Sequence, residues 1–546
     1  MKNITEFLAE LCSLDVKLWV EDNRLRCSAP KNVLTPTIRE ELARRKQDIL
    51  NFISNNNSVL DFDQQLISSI PRAENLPLSF AQQRLWFLAQ LEPDSSSYNI
   101  SVAVRLQGKL NLAALQQSFQ EIINRHEALR TSFQTVDGQP IQIIAPSLDF
   151  AISIISLDEC SLWEQEKQIR HLTTQAAQQP FDLTKSPLLR VTLVQLHPEE
   201  YIILLTIHHI VSDAWSMGIL VEEFVALYSA FCQGKPSPIA KLPIQYADFA
   251  VWQRQWLQGE RLQTQINYWK QKLGNIHPQL KFPRQSVNST NETTQGAEES
   301  FTLSQELSKA IYVLSRQEGV TLFMTLLAAF EVLLYCFTGT LDIRVGSPIA
   351  NRNRVEIEKL IGFFVNTLVL RIDLSGNPSF RELLARSHQV TLEAYAHQDL
   401  PFEKLVEELQ PQRSLNNHPL YQAWFVLDNN PMPQLQLPDL ILTPFEIETR
   451  TVRHDLLLSM WETSAGLQGY FEYKTHLFDK VSISRLIEQF QVIIQHVVAK
   501  PEIKLQEIVE LLNQIDREQQ QIKKNNLQAT ERQKLTISKR RAVRNI

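Results

Sequence analysis

The sequence predicts an α/β (α+β) protein with more than one core, and three observations carry that expectation. From about residue 72 to about residue 510, apolar β-branched runs alternate with segments whose apolar residues recur every three or four positions. The chain's 546 residues exceed what one hydrophobic core sustains, so two or three domains are expected. Hydrophobic residues make up 44% and charged residues 21%, the balance of a globular chain and not of a disordered or fibrous one.

The first 55 or so residues read as a module of their own. Ile4, Phe7, Leu8 and Leu11 recur at helical spacing, and the runs Val16–Val20 and Arg24–Cys27 flank the polar turn Glu21-Asp22-Asn23, a hairpin signal. Thr35-Pro36 reads as an N-cap followed by proline at the first helical position, and Ile38, Leu42, Ile49 and Phe52 stripe the helix it opens. Asn55-Asn56-Asn57-Ser58 breaks the pattern, and residues 56–71 read as a linker. A helix, a hairpin and a helix of this size bury little surface alone, so a partner or a dimer mate is expected for it.

In the body of the chain, strands are expected at Ile100–Leu106, Leu189–Leu196, Tyr201–Ile207 and Ile343–Val345. Helices are expected at Leu112–Ile123, Ser216–Phe231, Leu303–Gln317, Thr321–Phe337 and Ser482–Val498. Ser286 to Glu299 is the best internal loop. Residues 511–546 read as a helical linker and a basic tail, in which Lys523, Lys524, Arg532, Lys534, Lys539, Arg540, Arg541 and Arg544 outnumber the acids.

Several function classes are disfavoured. A net charge of −6 gives no reason to expect nucleic acid. The N-terminus has no basic start followed by a long apolar core, and no stretch approaches the roughly 20 apolar residues of a bilayer span, so a cytoplasmic protein with no membrane partner is expected. The five cysteines are scattered without CxxC spacing, and an odd number argues against a disulfide framework.

The most informative segment is His208-His209-Ile210-Val211-Ser212-Asp213. It follows the apolar run Tyr201–Ile207 and precedes a helical pattern, so two imidazoles and a carboxylate lie at a strand-to-helix junction. Of the 12 histidines only His209 has an aspartate four residues on. Neighbouring side chains on a strand point to opposite faces, so His208 and His209 would not share a metal, and no cysteine or HExxH pattern stands nearby; no metal is expected. The spacing permits one imidazole to face a cavity while the other anchors the strand, with Asp213 capping the helix or fixing the loop through an ion pair.

Further segments stand around that junction in order: Leu78 to Leu88, Arg125 to Phe133, Tyr246 to Trp252, Ile361 to Thr367, His397 to Glu403 and, more weakly, Arg413 to Leu420. With the HHxxxD segment they resemble the condensation domain of nonribosomal peptide synthetases, over roughly residues 72 to 510. The first module resembles the tubulysin-type (TubC-like) N-terminal docking domain of such assembly lines.

The resemblance implies a fold of two chloramphenicol acetyltransferase-like lobes in a V-shaped pseudo-dimer, spanning residues 72–245 and 246–510 after a docking domain at 1–55. It places a tunnel between the lobes with the HHxxxD loop at its middle. It also implies a reaction, attack of an acceptor aminoacyl thioester's amine on a donor acyl or peptidyl thioester, both carried on the phosphopantetheine of partner carrier domains. The chain has no GxxxxGK[ST] and no Gly-Gly-x-Ser, so it is expected to bind no cofactor itself and to receive its substrates from upstream and downstream carriers. Free-standing unit and piece of a longer synthetase both stay open.

On this resemblance His209 is the central residue, as base or as positioning group, and His208 is structural. Asp213 is implied to pair with an arginine of the second lobe, for which Arg344 is the candidate. Where the family motif usually continues with glycine this chain has Ala214, adding a methyl group near where the pantetheine arms should meet. Trp215, Ser216, Ser347 and Asn366 are candidate tunnel contacts. Ile210 to Asp213 and Ser347 to Arg352 suggest the subtype that joins two L-residues. The competing reading is a degenerate binding module of the same fold that recruits a tailoring enzyme to a carrier-bound intermediate. In the first module, Lys17, Arg24 and Arg26 are expected to attract an acidic C-terminal peptide of an upstream synthetase, added as a strand to the hairpin.

Overall fold

The computed structural model describes residues 17–21, 24–28, 41–42, 44–46, 66–72, 75–274, 280, 282, 295–410, 420–428, 437–445, 452–518 and 521. The expected hairpin of the first module is present: Lys17–Glu21 pairs antiparallel with Arg24–Ser28. Its register alternates apolar pairs, Leu18 with Cys27 and Val20 with Leu25, with the pairs Lys17–Ser28, Trp19–Arg26 and Glu21–Arg24. Lys17, Arg24 and Arg26 therefore fall in one alternation set. The basic tail from Lys523 onward lies outside the described residues.

Among the described residues the body has two large sheets of unequal make-up, each with its own core, and one small sheet. In the first lobe five strands run in the order Leu440–Phe445, Asn99–Gly108, Glu200–His208, Leu189–His197 and Ser153–Ser156. A small sheet of Leu76–Pro77, Gln139–Ile144 and Thr131–Val136 stands beside it. The strand Glu200–His208 is central and covered on both faces, which explains its unbroken apolar run. Tyr201, Leu205 and Ile207 join the main core, while Ile202 and Leu204 pack under the helix Leu162–Gln178 with Ile169.

In the second lobe six strands run in the order Gly296–Thr302, Gly466–Lys474, Leu456–Thr463, Ala423–Asp428, Asp342–Ile349 and Asn366–Asp373. The helix Leu322–Thr338 is buried almost all round, which is why its sequence is apolar without a polar stripe. Thr321 caps its start by accepting from the Met324 N–H, and Gly339 ends it in the left-handed region at φ 69°. The far end of the expected loop Ser286–Glu299 belongs to the edge strand Gly296–Thr302, held in register opposite Lys474 to Gln468.

The lobes exchange elements, which sequence periodicity did not reveal. Leu440–Phe445 comes from the second lobe's part of the chain yet pairs with Asn99–Gly108. Ile357, Leu360, Ile361, Phe363 and Phe364, in the connection between two second-lobe strands, are buried in the first core. The helix Tyr246–Trp256, which opens at the expected lobe boundary of 245/246, also packs there through Tyr246, Phe249 and Ala250. The boundary between cores is thus interleaved and not a single cut. The helix Ala214–Cys232 is apolar and long enough to meet a length-and-composition test for a membrane span, but Leu220, Leu227 and Tyr228 bury it in the first core.

Candidate active site

The junction after Glu200–His208 gives the two imidazoles different surroundings. His208 ends the strand and is buried, its ring edge-on to Phe181 at 6.0 Å. Its Nδ1 accepts the Ile210 N–H at 3.1 Å, so it stabilises the turn. Burial pushes the His208 imidazole down to about 3, and it is neutral at physiological pH.

His209 begins a single 3₁₀ turn, His209–Val211, and keeps part of its surface exposed. Its backbone N–H donates to the Tyr98 carbonyl at 2.8 Å, and its ring meets Phe363 of the second lobe at 5.1 Å. Nδ1 lies 2.9 Å from the Ser212 carbonyl oxygen. A carbonyl only accepts, so Nδ1 carries the proton and Nε2 holds the lone pair. Burial lowers the His209 imidazole to about 4; the Arg453 cation adds to the lowering and the Asp213 carboxylate opposes it. The ring is a neutral acceptor at Nε2 across the physiological range.

Asp213 caps the helix Ala214–Cys232, its Oδ1 accepting the Ser216 N–H at 2.8 Å. The same oxygen accepts Arg352 Nη2 at 3.1 Å, and Oδ2 accepts the Phe364 N–H at 2.9 Å. Arg352 reaches this carboxylate from the second lobe's strand connection, donates through Nη1 to the Ile357 and Leu360 carbonyls at 2.7 Å each, and lies 4.1 Å over the Phe364 ring. The cross-lobe partner is therefore Arg352 and not Arg344. Arg344 is buried elsewhere on its strand, with Nη2 donating to the Leu273 carbonyl at 2.9 Å and 3.9 Å from Asp342. The expected kind of pair exists, but the strand Asp342–Ile349 holds Arg344 against its own lobe while the connection that follows carries Arg352 back to the junction.

Two of the four candidate tunnel residues serve packing instead. Ser216 is fully buried; its Oγ lies 2.7 Å from Asp213 Oδ1 and 2.9 Å from the Gly362 carbonyl, and accepts from Arg352 Nη2 at 2.7 Å. Ser347 is buried with its Oγ donating to the Phe425 carbonyl at 2.9 Å. Asn366 organises a loop: Nδ2 donates to the Gln398 and Leu400 carbonyls and Oδ1 accepts the Phe402 N–H. Asn366 also lines a narrow cavity at the lobe seam with Ser79, Phe249, Phe363 and Glu403; His209 is not part of that cavity's lining. Trp215 stays half-exposed with Nε1 donating to the Glu358 carbonyl at 3.0 Å. Ala214 is exposed at the start of its helix, so its methyl group is not accommodated at the expense of packing.

Residues that the sequence reading named only within longer segments, together with Arg453, which it passed over, complete the seam. Tyr246 Oη donates to the Phe363 carbonyl at 2.5 Å and lies 2.8 Å from Ser79 Oγ. A Cβ at Gly362 would fall 2.0 Å from Tyr246 Cδ2, so only glycine allows this close approach. Arg453 reaches from the second lobe to the first, with Nε donating to the Ser97 carbonyl at 2.7 Å. Among the described residues no group of three or more His, Cys, Asp or Glu is arranged to hold a metal.

Comparison with known proteins fits this arrangement. The condensation domain profile matches residues 72–522, and the TubC N-terminal docking domain profile matches residues 4–55. A linear gramicidin synthase of Brevibacillus parabrevis is 50% identical over 438 residues, 80% of this chain and 9% of that protein. Malpinin synthetase of Mortierella alpina is 45% identical over 420 residues, 77% of this chain and 5% of that protein. The chain thus spans less than a tenth of the length of these curated relatives. Among solved structures, the X-domain from teicoplanin biosynthesis superposes with a TM-score of 0.74 at 26% identity, covering 81% of this chain and 99% of that one. The same X-domain in complex with OxyB gives 0.73 at 26% identity, covering 81% and 97%. The condensation domain of the Monacolin K polyketide synthase MokA shares the fold, with a TM-score of 0.67 at 23% identity over 80% of this chain and all of that one. The mixed α/β lobes, the junction histidines and the matched span together make this chain a member of the condensation domain family, preceded by a TubC-type docking domain.

Proposed function

We propose that this chain forms an amide bond between a donor acyl or peptidyl thioester and an acceptor aminoacyl thioester, each delivered on the phosphopantetheine arm of a carrier domain. The observation that carries this reading is the 2.9 Å approach of His209 Nδ1 to the Ser212 carbonyl oxygen, which fixes the tautomer. The Nδ1 proton is committed to the Ser212 carbonyl, which leaves Nε2 as a fixed acceptor on a residue that keeps part of its surface exposed. In the reaction the amine nitrogen attacks the thioester carbonyl carbon, the new C–N bond forms, and the C–S bond breaks. The proton shed by the amine passes to Nε2 or, through it, to the departing thiolate. An α-amino group with a pKa near ~8 is partly neutral at physiological pH, so holding the amine in line contributes alongside proton removal. The N–H of Ala214, in the first turn of its helix, is the candidate donor to the developing oxyanion.

Asp213 and Arg352 act by holding this loop against the second lobe, and Trp215 is the candidate contact for an incoming arm. The amide formed is proposed to join two L-residues. The hairpin Lys17–Ser28 is proposed to receive the C-terminal peptide of an upstream synthetase, with Lys17, Arg24 and Arg26 supplying charge.

A second reading has a specific observation behind it: the X-domain, which superposes well, is known in complex with OxyB. On that reading this chain would recruit a partner enzyme to a carrier-bound intermediate without chemistry. Two carriers loaded with donor and acceptor, mixed with the full chain and followed by intact-protein mass spectrometry, separate the two. Transfer of donor mass to the acceptor carrier supports amide formation; stable carrier binding with both loads unchanged supports recruitment.

A further inference from the structure

Arg453 belongs to the second lobe by sequence and to the first by contact. It is held in place by the residues that follow it. His454, next in the chain, stacks on Trp424 at 4.4 Å with 12° between planes, and Asp455 pairs with Lys474 at 2.7 Å in a buried setting. From this anchor Nε of Arg453 donates to the Ser97 carbonyl at 2.7 Å, and its guanidinium lies 4.6 Å over the Tyr98 ring. Tyr98 in turn accepts the backbone N–H of His209 at 2.8 Å. Three successive contacts thus connect the second lobe to the backbone of the imidazole.

We propose that Arg453 is a positioning residue for His209, locking the Ser97–Tyr98 segment to the second lobe so that His209 is presented only when the lobes are seated together. The inference rests on the amide-forming reading and deepens it. Electrostatics work in the same direction. The charged groups facing His209 are Arg453 from the second lobe and Asp213 from its own junction; His208 is neutral and Phe363 carries no charge. Burial sets the imidazole low, the arginine lowers it further, and the aspartate only partly offsets both. A cation anchored from the far lobe therefore adds to what burial already does in keeping the imidazole neutral.

The test uses the full chain with histidine labelled at ¹³Cε1, the His209 signal being assigned by its loss in His209→Ala. Wild type, Arg453→Met and Arg453→Gln are titrated by NMR from about pH 8 to about pH 4. Both variants remove the charge, and both are expected to titrate higher than wild type. The glutamine can still donate to Ser97, so Arg453→Gln is expected to retain more of the single-turnover rate than Arg453→Met. Arg453→Met is expected to lose on the order of 10- to 100-fold at saturating carriers, with half-saturating carrier concentrations unchanged. If Arg453→Met does not fold, Arg453→Gln carries the titration. Titration curves that superimpose on wild type, or an Arg453→Met rate equal to wild type, overturn the inference. Absence of any amide from wild type would instead sink the amide-forming reading, while the titration still decides whether arginine and imidazole are linked.

Discussion

Asp213 and Arg352, 139 residues apart in the chain, meet at 3.1 Å with both side chains almost wholly excluded from solvent. The carboxylate is spent on four donors, the N–H of Ser216, the hydroxyl of Ser216, the guanidinium and the N–H of Phe364. It fixes the junction to the second lobe and has no oxygen left for substrate. Removing one partner leaves the other charge buried and unpaired. Asp213→Ala and Arg352→Met are each expected to cost about 3–5 kcal/mol of unfolding free energy. Urea unfolding of the two single variants and the double variant checks this: the double should cost clearly less than the sum, and strict additivity would break the pairing claim.

Ser216 gives a sharper distinction between packing and substrate contact. Ser216→Ala is expected to lower stability by about 1–3 kcal/mol, because the Gly362 N–H and Arg352 Nη2 each lose an acceptor and Asp213 Oδ1 loses the hydroxyl donor. The dependence of turnover on acceptor concentration should stay as in wild type. A changed acceptor preference with unchanged stability would return Ser216 to the tunnel wall.

Two glycines predict opposite signs. Gly362→Ala drives a methyl group to within 2.0 Å of the Tyr246 ring and is expected to destabilise by about 1–3 kcal/mol. Gly218 lies inside the helix Ala214–Cys232 with nothing within 4 Å of an added Cβ, so Gly218→Ala is expected to stabilise by about 0.5–1 kcal/mol. Thermal unfolding of the pair reads both at once.

Acid sensitivity follows from the two imidazoles. In the unfolded chain they take up protons near the ordinary value of about 6.5. In the fold they do so only near about 3 for His208 and about 4 for His209. Between those limits the unfolded state binds more protons, so stability falls as pH drops below about 6.5 and is regained as pH rises. His208→Asn, with an oxygen that can still accept from Ile210, is expected to show a smaller loss between about pH 7 and about pH 5 than wild type. Equal losses in urea midpoint would remove His208 as a source of that dependence.

Much of the site was legible because its signals are local. An apolar run long enough for a central strand, two histidines, and an aspartate at capping distance from a helical pattern all lie within a short stretch, and the observed strand, 3₁₀ turn and capped helix follow from them. The hairpin of the first module was equally readable from Glu21-Asp22-Asn23. What stayed hidden depends on where the chain returns. Arg344 and Arg352 are the same residue type eight positions apart, and nothing in periodicity distinguishes the one held in its own sheet from the one that crosses. The strand Leu440–Phe445 contains Pro444 and only a short alternation, so its pairing with Asn99–Gly108 left no strong pattern. The burial of Ser216 and Ser347 is likewise set by partners distant in sequence, Gly362 and Phe425.

The central claim is that the His209 imidazole takes part in making the amide. Its most direct test is single-turnover product formation from two loaded carriers by wild type and His209→Ala, matched for folding by circular dichroism and unfolding midpoint. The account predicts condensed product on the acceptor carrier with wild type and a loss on the order of 100-fold or more with His209→Ala. A folded His209→Ala protein that makes the amide at the wild-type rate would contradict it.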